Sequence, residues 1–186
     1  MEREDDLIEK DEDFEDEIDF DAEFENEWNE ICRENDRLLD IFRNDMRRLP
    51  DGEIEAHISR VKLFLFDYFH ESTCSNILDG CDDIPWFFDY LIDNHICRTT
   101  ASIKRMTESI WRFYCSMLDH YEIDELDYAD VCDNLTGRDE LIARCREANP
   151  DTEDEDINAE GEYDDDFFVK CIRQASEDRF GDEEDF

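Results

Sequence analysis

Apolar side chains recur at steps of three and four residues along most of this chain and almost never alternate, which is the helical period and not the strand period. Phe20, Phe24, Trp28 and Ile31 open the pattern, and Leu38, Leu39, Ile41, Phe42 and Met46 continue it. One long amphipathic helix is therefore predicted over residues 21–48, stopped by LPDG at 49–52. EIEAHISRVKLFLFDYFHES supplies a second helix with a broad apolar face of Ile54, Ile58, Val61, Leu63, Leu65, Phe66 and Phe69. TCSNILDGCDDIP reads as a turn-rich break, and Pro85 as the first turn of a third helix, PWFFDYLIDNHIC, with Asp82 and Asp83 as cap candidates. Thr99 or Thr100 caps a fourth, in which Ile103, Met106, Ile110, Phe113 and Met117 face inward. EIDELDYADVCDNLTG reads as an acidic connection with room for one helical turn, and RDELIARCREA as a fifth helix ending at Asn149-Pro150.

The expected fold is all-α, a compact bundle of five or six helices with acidic termini that are disordered or loosely docked. Residues 1–20 read as a disordered acidic tail, 21–149 as the helical domain, and 150–186 as an acidic C-terminal segment. Within that last segment, FFVKCIRQ at 167–174 has the pattern of a short docking helix. The apolar runs VKLFLFDYF and IPWFFDYLI are too short to span a bilayer, and MEREDDLIEKDED offers no export signal, so a cytoplasmic protein without membrane contact is expected.

Charge changes the picture. The 186 residues carry 58 acidic and 19 basic side chains, a formal charge of -39 spread through all parts of the chain. Self-repulsion on this scale opposes compaction and repels phosphate backbones. Two readings accommodate it. In a salt-adapted cytoplasm, molar salt shortens the Debye length to about 3 Å and makes dense carboxylates tolerable, and the choice of fifteen Arg over four Lys suits that setting. Alternatively the acidity is functional, imitating nucleic acid toward a basic DNA-binding protein. Eight cysteines without a CxxC pair, mostly among apolar neighbours, read as reduced buried thiols.

One stretch departs from this acidity. In RTTASIKRMTESIWRFY at 98–114, Arg98, Lys104, Arg105 and Arg112 accompany a single carboxylate, Glu108. At 100° per residue Lys104, Glu108, Arg112 and Arg105 occupy a sector about 100° wide on the polar side of the fourth helix. The order of helices over residues 53–125, with HISRVKLFLFDYF, IPWFFDYLI and then TTASIKRMTESIWRFYCSM, resembles the SAM-like N-terminal core-binding domain of tyrosine recombinases and phage integrases. The resemblance rests on the polar opening Thr99, Thr100, Ser102, on Ile103, Lys104 and Arg105, and on the closing pair Phe113 and Tyr114. It implies that Arg98, Lys104, Arg105 and Arg112 contact DNA phosphates. The catalytic Arg, His-x-x-Arg and Tyr of that family have no counterpart after residue 125, so the resemblance implies no recombination chemistry.

Other constellations carry less. His70, Cys74, Cys81, His95 and Cys97 lack the compact spacing of a zinc site, and buried thiols with partly exposed histidines account for the same residues. Asp156, Asn158, Glu160 and Gly161 follow a calcium-loop pattern, but Phe167 stands where the bidentate Glu belongs. Four scattered His and no nucleophile–base pattern point away from an enzyme, and no cofactor or metal is expected. The stripe Phe20, Phe24, Trp28, Ile31 suits either a basic apolar groove on a partner or this protein's own core. The reading is a non-catalytic binding module: a DNA-associated or adaptor protein, or else an acidic DNA mimic that binds a basic protein.

Overall fold

The computed structural model describes residues 20–150 and residue 152, and these form six helices with no strand among the described residues. Helix α1 spans Phe20–Asp45. Helix α2 follows Pro50 and runs as α-helix over Asp51–Lys62, widens to π-helix over Leu63–Tyr68, and closes with a turn at Phe69–Glu71. Then come α3 (Ile77–Asp93), α4 (Thr100–Asp119), α5 (Glu125–Thr136) and α6 (Arg138–Ala148). The expectation of an all-α bundle is met. The predicted 167–174 docking helix and the calcium-like loop lie outside the described residues.

Three starts are fixed by side-chain oxygens that take up orphan backbone N–H groups. Asn76 Oδ1 accepts from Leu78 N at 2.8 Å and Asp79 N at 3.1 Å. Thr99 and Ser102 form a reciprocal capping box at α4, as do Asp124 and Asp127 at α5. Two ends close on left-handed residues, His95 (φ 55°) after α3 and Tyr121 (φ 61°) after α4. After α4, Glu122 N reaches Met117 O at 2.9 Å and Tyr121 N reaches Leu118 O at 3.1 Å, the paired bonds of a Schellman motif.

Helix α4 sits at the centre, packed against α1, α2, α5 and α6. Its inward face buries Ile103, Met106, Ile110, Phe113, Tyr114 and Met117, as the three- and four-residue spacing predicts. Aromatic rings fill the space between α2, α3 and α4. Phe64 lies 4.8 Å from Phe87 and 5.0 Å from Phe69 between ring centres, and Phe42 meets Phe113 edge-on at 5.6 Å. Burying each such ring contributes on the order of 2–3 kcal/mol.

Two helices depart from the sequence expectation. Helix α3 begins at Ile77 and carries Pro85 in its interior, eight residues past the start. Proline donates no bond to the carbonyl four residues back, and Asn134 Nδ2 from α5 donates to that carbonyl, Cys81 O, at 2.9 Å. The segment read as an acidic connection is the three-turn helix α5, whose buried Tyr128, Val131, Cys132 and Leu135 keep a helical spacing behind a screen of carboxylates. Asn134 and Tyr128 reach the rest of the fold from this helix.

The π-helical stretch of α2 has a parallel solution. Phe69 N–H reaches back to Phe64 O, so the Leu65 carbonyl loses the partner that α spacing would give it. Asn35 Nδ2 from α1 donates to that carbonyl at 2.7 Å, with Asn35 itself 1% exposed. Gly80 completes the packing of α3. A Cβ there would stand 2.8 Å from Tyr114 Oη and 2.9 Å from the ring tips of Phe64 and Phe69, and Tyr114 Oη uses that space to donate to Ile77 O at 3.0 Å.

Gly80→Ala is expected to lower stability by about 1–3 kcal/mol through overpacking against rings that have no room to move. Asn35→Leu should cost a similar amount, because it strands a buried carbonyl, on the order of 1–3 kcal/mol. Asn134→Leu should cost less, since Asn134 is only half-buried and water can replace it. Urea unfolding midpoints order the three variants, and a loss for Asn134→Leu equal to that for Asn35→Leu would contradict this account.

Candidate binding surface

Three of the four predicted cations lie on α4 and the fourth just before it. Arg98 precedes α4, is exposed, and donates from Nε to His95 O at 2.8 Å. Lys104, Arg105 and Arg112 are half-buried on α4 itself. At 100° per residue Lys104, Glu108, Arg112 and Arg105 share one flank about 100° wide. That flank meets α2, where Arg60 adds a cation absent from the sequence reading and donates to Ser109 Oγ at 3.4 Å. Arg112 Nε is held by Glu108 at 2.8 Å.

Beneath this seam lies His57, 7% exposed, with Nδ1 at 2.9 Å from Ser109 Oγ. Ser109 Oγ also lies 2.8 Å from Arg105 O, which can only accept, so the serine proton points there. His57 must then donate from Nδ1 and is neutral with its proton on that nitrogen. Burial drives its pKa down to about 4; Glu108 opposes the shift, and Arg112 and Arg60 assist it. Ser109 is fully buried and its oxygen already accepts from His57 and Arg60. The pair therefore locks α2 to α4 and has no free serine oxygen to offer a substrate. Its signal in sequence was the His57, Arg60 spacing, which puts both on one face of α2.

A second polar cluster joins α1 to the end of α4. Asp45 accepts from Ser116 Oγ at 2.6 Å and from His120 Nε2 at 3.0 Å. Burial raises the Asp45 pKa, but the bonds from Ser116 and His120 outweigh it and the net shift is downward. The carboxylate stands between serine and histidine, so the imidazole cannot take the serine proton as a nucleophile–base relay requires.

Four thiols of the described fold are held in their protonated form. Burial pushes Cys74, Cys81 and Cys115 up to about 12 and Cys97 up to about 11, leaving each protonated at neutral pH. Cys74 donates to Asp83 Oδ2 at 3.0 Å, beside Tyr68 Oη at 2.9 Å from the same oxygen. Among the described residues no group of three or more His, Cys, Asp or Glu is placed to hold a metal ion, and no helix is long and apolar enough to cross a membrane.

Of the aromatic stripe, Trp28 packs partly on the core with His70 edge-on at 5.0 Å, Ile31 is half-buried, and Phe24 is 55% exposed. The side chain of Phe20 lies outside the described residues. The stripe is thus divided: its later turns cover this protein's core and Phe24 faces outward.

Elsewhere cations are drawn into pairs that join helices. Arg37 of α1 bridges Glu34 and, at 2.6 Å, Glu122 beyond α4; Arg43 meets Glu55 of α2; Arg144 of α6 meets Asp89 of α3. Between residues 20 and 150 there are 30 acidic and 14 basic side chains, so carboxylates dominate the remaining surface. The chain matches no family model, no curated protein and no solved structure.

Folded His57 stays neutral down to about pH 4, while in the unfolded chain it protonates near 6.5. The unfolded state therefore binds more protons in that window, and this histidine's contribution to stability is lost as pH falls from about 6.5 toward 4. His57→Gln keeps a donor for Ser109 and does not titrate. Wild-type unfolding midpoints should fall relative to His57→Gln between pH 6.5 and 4, the shared carboxylates cancelling in the difference; parallel curves would refute the assignment.

Proposed function

We propose that this chain is a non-catalytic acidic binding module that engages a basic nucleic-acid-binding protein through its carboxylate surface. The observation that carries the reading is the disposition of charge. Arg37, Arg43, Arg112 and Arg144 are committed to pairs within the fold, while carboxylates outnumber cations by sixteen between residues 20 and 150. Such a surface attracts a cationic partner over a distance of about one Debye length and repels a phosphate backbone.

The resemblance of residues 53–125 to the recombinase core-binding domain favours a second reading, a DNA-associated module that uses Arg98, Lys104, Arg105 and Arg112. Arg60 of α2, which donates to Ser109 Oγ, adds a further cation beside that flank of α4. The acidity suits a salt-rich cytoplasm under either reading.

The two readings separate in one experiment. A fluorescent DNA duplex is titrated with the full chain at roughly 0.1 M salt and again at about 1 M, alone and preloaded with a small basic DNA-binding domain. The acidic-partner reading expects no binding to free duplex at either salt and release of duplex from the basic domain at the lower salt. Direct binding of duplex that Lys104→Glu with Arg105→Glu abolishes would overturn it in favour of the DNA-associated reading.

A further inference from the structure

A groove of about 640 Å³ runs between the start of α3, the end of α4 and the start of α5. Leu78, Leu118, Tyr121 and Ile123 give it apolar walls. Leu78 is 47% exposed and Tyr121 94%, and Leu126, whose two neighbours line the groove, is 71% exposed. Two of the six exposed large hydrophobic side chains of the described fold therefore line this one groove, and a third, Leu126, sits between two of its lining residues. Its other lining residues are five carboxylates and no cation.

Tyr121 is an uneconomical choice for the fold alone. It occupies the left-handed position of the Schellman motif, where glycine fits without steric penalty, and its ring touches almost nothing of its own chain. An exposed aromatic ring beside apolar walls is a common anchor of a protein contact.

We propose that this groove is the docking site for an amphipathic helix of the partner, with apolar residues at helical spacing on one face and Lys or Arg along its edges. The proposal rests on the binding-module reading above and names its contact surface. Charge complementarity selects the occupant. Asp119 and Glu125 stand exposed on the rim, and Asp124 and Asp127 line the groove while they cap α5. A second copy at -39 is repelled from such a rim, as is any acidic segment.

The test titrates the full chain with a synthetic amphipathic peptide of about four helical turns carrying Leu and Lys, and with a scrambled peptide of equal composition. The ordered peptide is expected to bind at least about tenfold more tightly, shifting amide signals of residues 118–127. Tyr121→Gly should weaken it by about tenfold or more without lowering the unfolding midpoint, and Leu126→Ser should weaken it too. Equal binding of the scrambled peptide, or unchanged binding by Tyr121→Gly, overturns the proposal. So does movement of the same signals by Lys170→Glu with Arg173→Glu in the absence of peptide, which would seat the chain's own 167–174 segment there, or a dimer in sedimentation that Leu126→Ser dissolves. Failure of the broader reading looks different: the peptide binds at the groove but the chain releases no duplex from a basic domain.

Discussion

A backbone carbonyl that loses its helical partner within a packed bundle needs another donor, and this fold meets that demand twice, once in the buried core and once at its half-buried edge. The π-helical widening of α2 strands the Leu65 carbonyl and Pro85 strands that of Cys81; Asn35 from α1 and Asn134 from α5 donate to them. Each amide thereby pins a flanking helix to the middle of the bundle with a directional bond that apolar packing cannot supply. The widened turn carries Phe64, Leu65, Tyr68 and Phe69 into the interior together, and Gly80 opens the space their rings and Tyr114 occupy. Helix irregularity, paired amide and aromatic cluster form one unit.

The same economy governs charge. A surface this acidic would push the helices apart, and the few cations are spent where helices meet: Arg37 on the chain beyond α4, Arg43 on α2, Arg144 on α3. Exposed pairs of this kind are each weak, worth about 0–1 kcal/mol. Their position at the seams nevertheless cancels repulsion where it would do most harm. What remains outward is carboxylate, together with the apolar floor of the groove beside Tyr121.

Much of the fold was legible because burial writes a period into sequence. The inward face of α4 and the apolar half of α1 follow from spacing alone, and Thr99 was readable as a cap. Helix α3 was read short because Gly80 and Pro85 resemble a break; only the ring cluster around Gly80 and the donor at Asn134 reveal why both are tolerated, and those are contacts between distant segments. Helix α5 was hidden by its carboxylates, although the Asp124 and Asp127 spacing is that of a cap. The cationic stretch was visible, but the addition of Arg60 beside it depends on which flank α2 covers. The groove was not legible at all, since Leu78, Tyr121 and Leu126 come from three separate elements.

The thiols have a consequence of their own. Cys74, Cys81, Cys97, Cys132 and Cys145 are buried thiols outside any disulfide, and they are distributed over the α2–α3 turn, α3, the α3–α4 turn, α5 and α6. An alkylating reagent can reach each only when its own neighbourhood opens. The molecule thus carries a set of internal clocks, one per region, whose separate labelling times would map how the bundle breathes without any added probe.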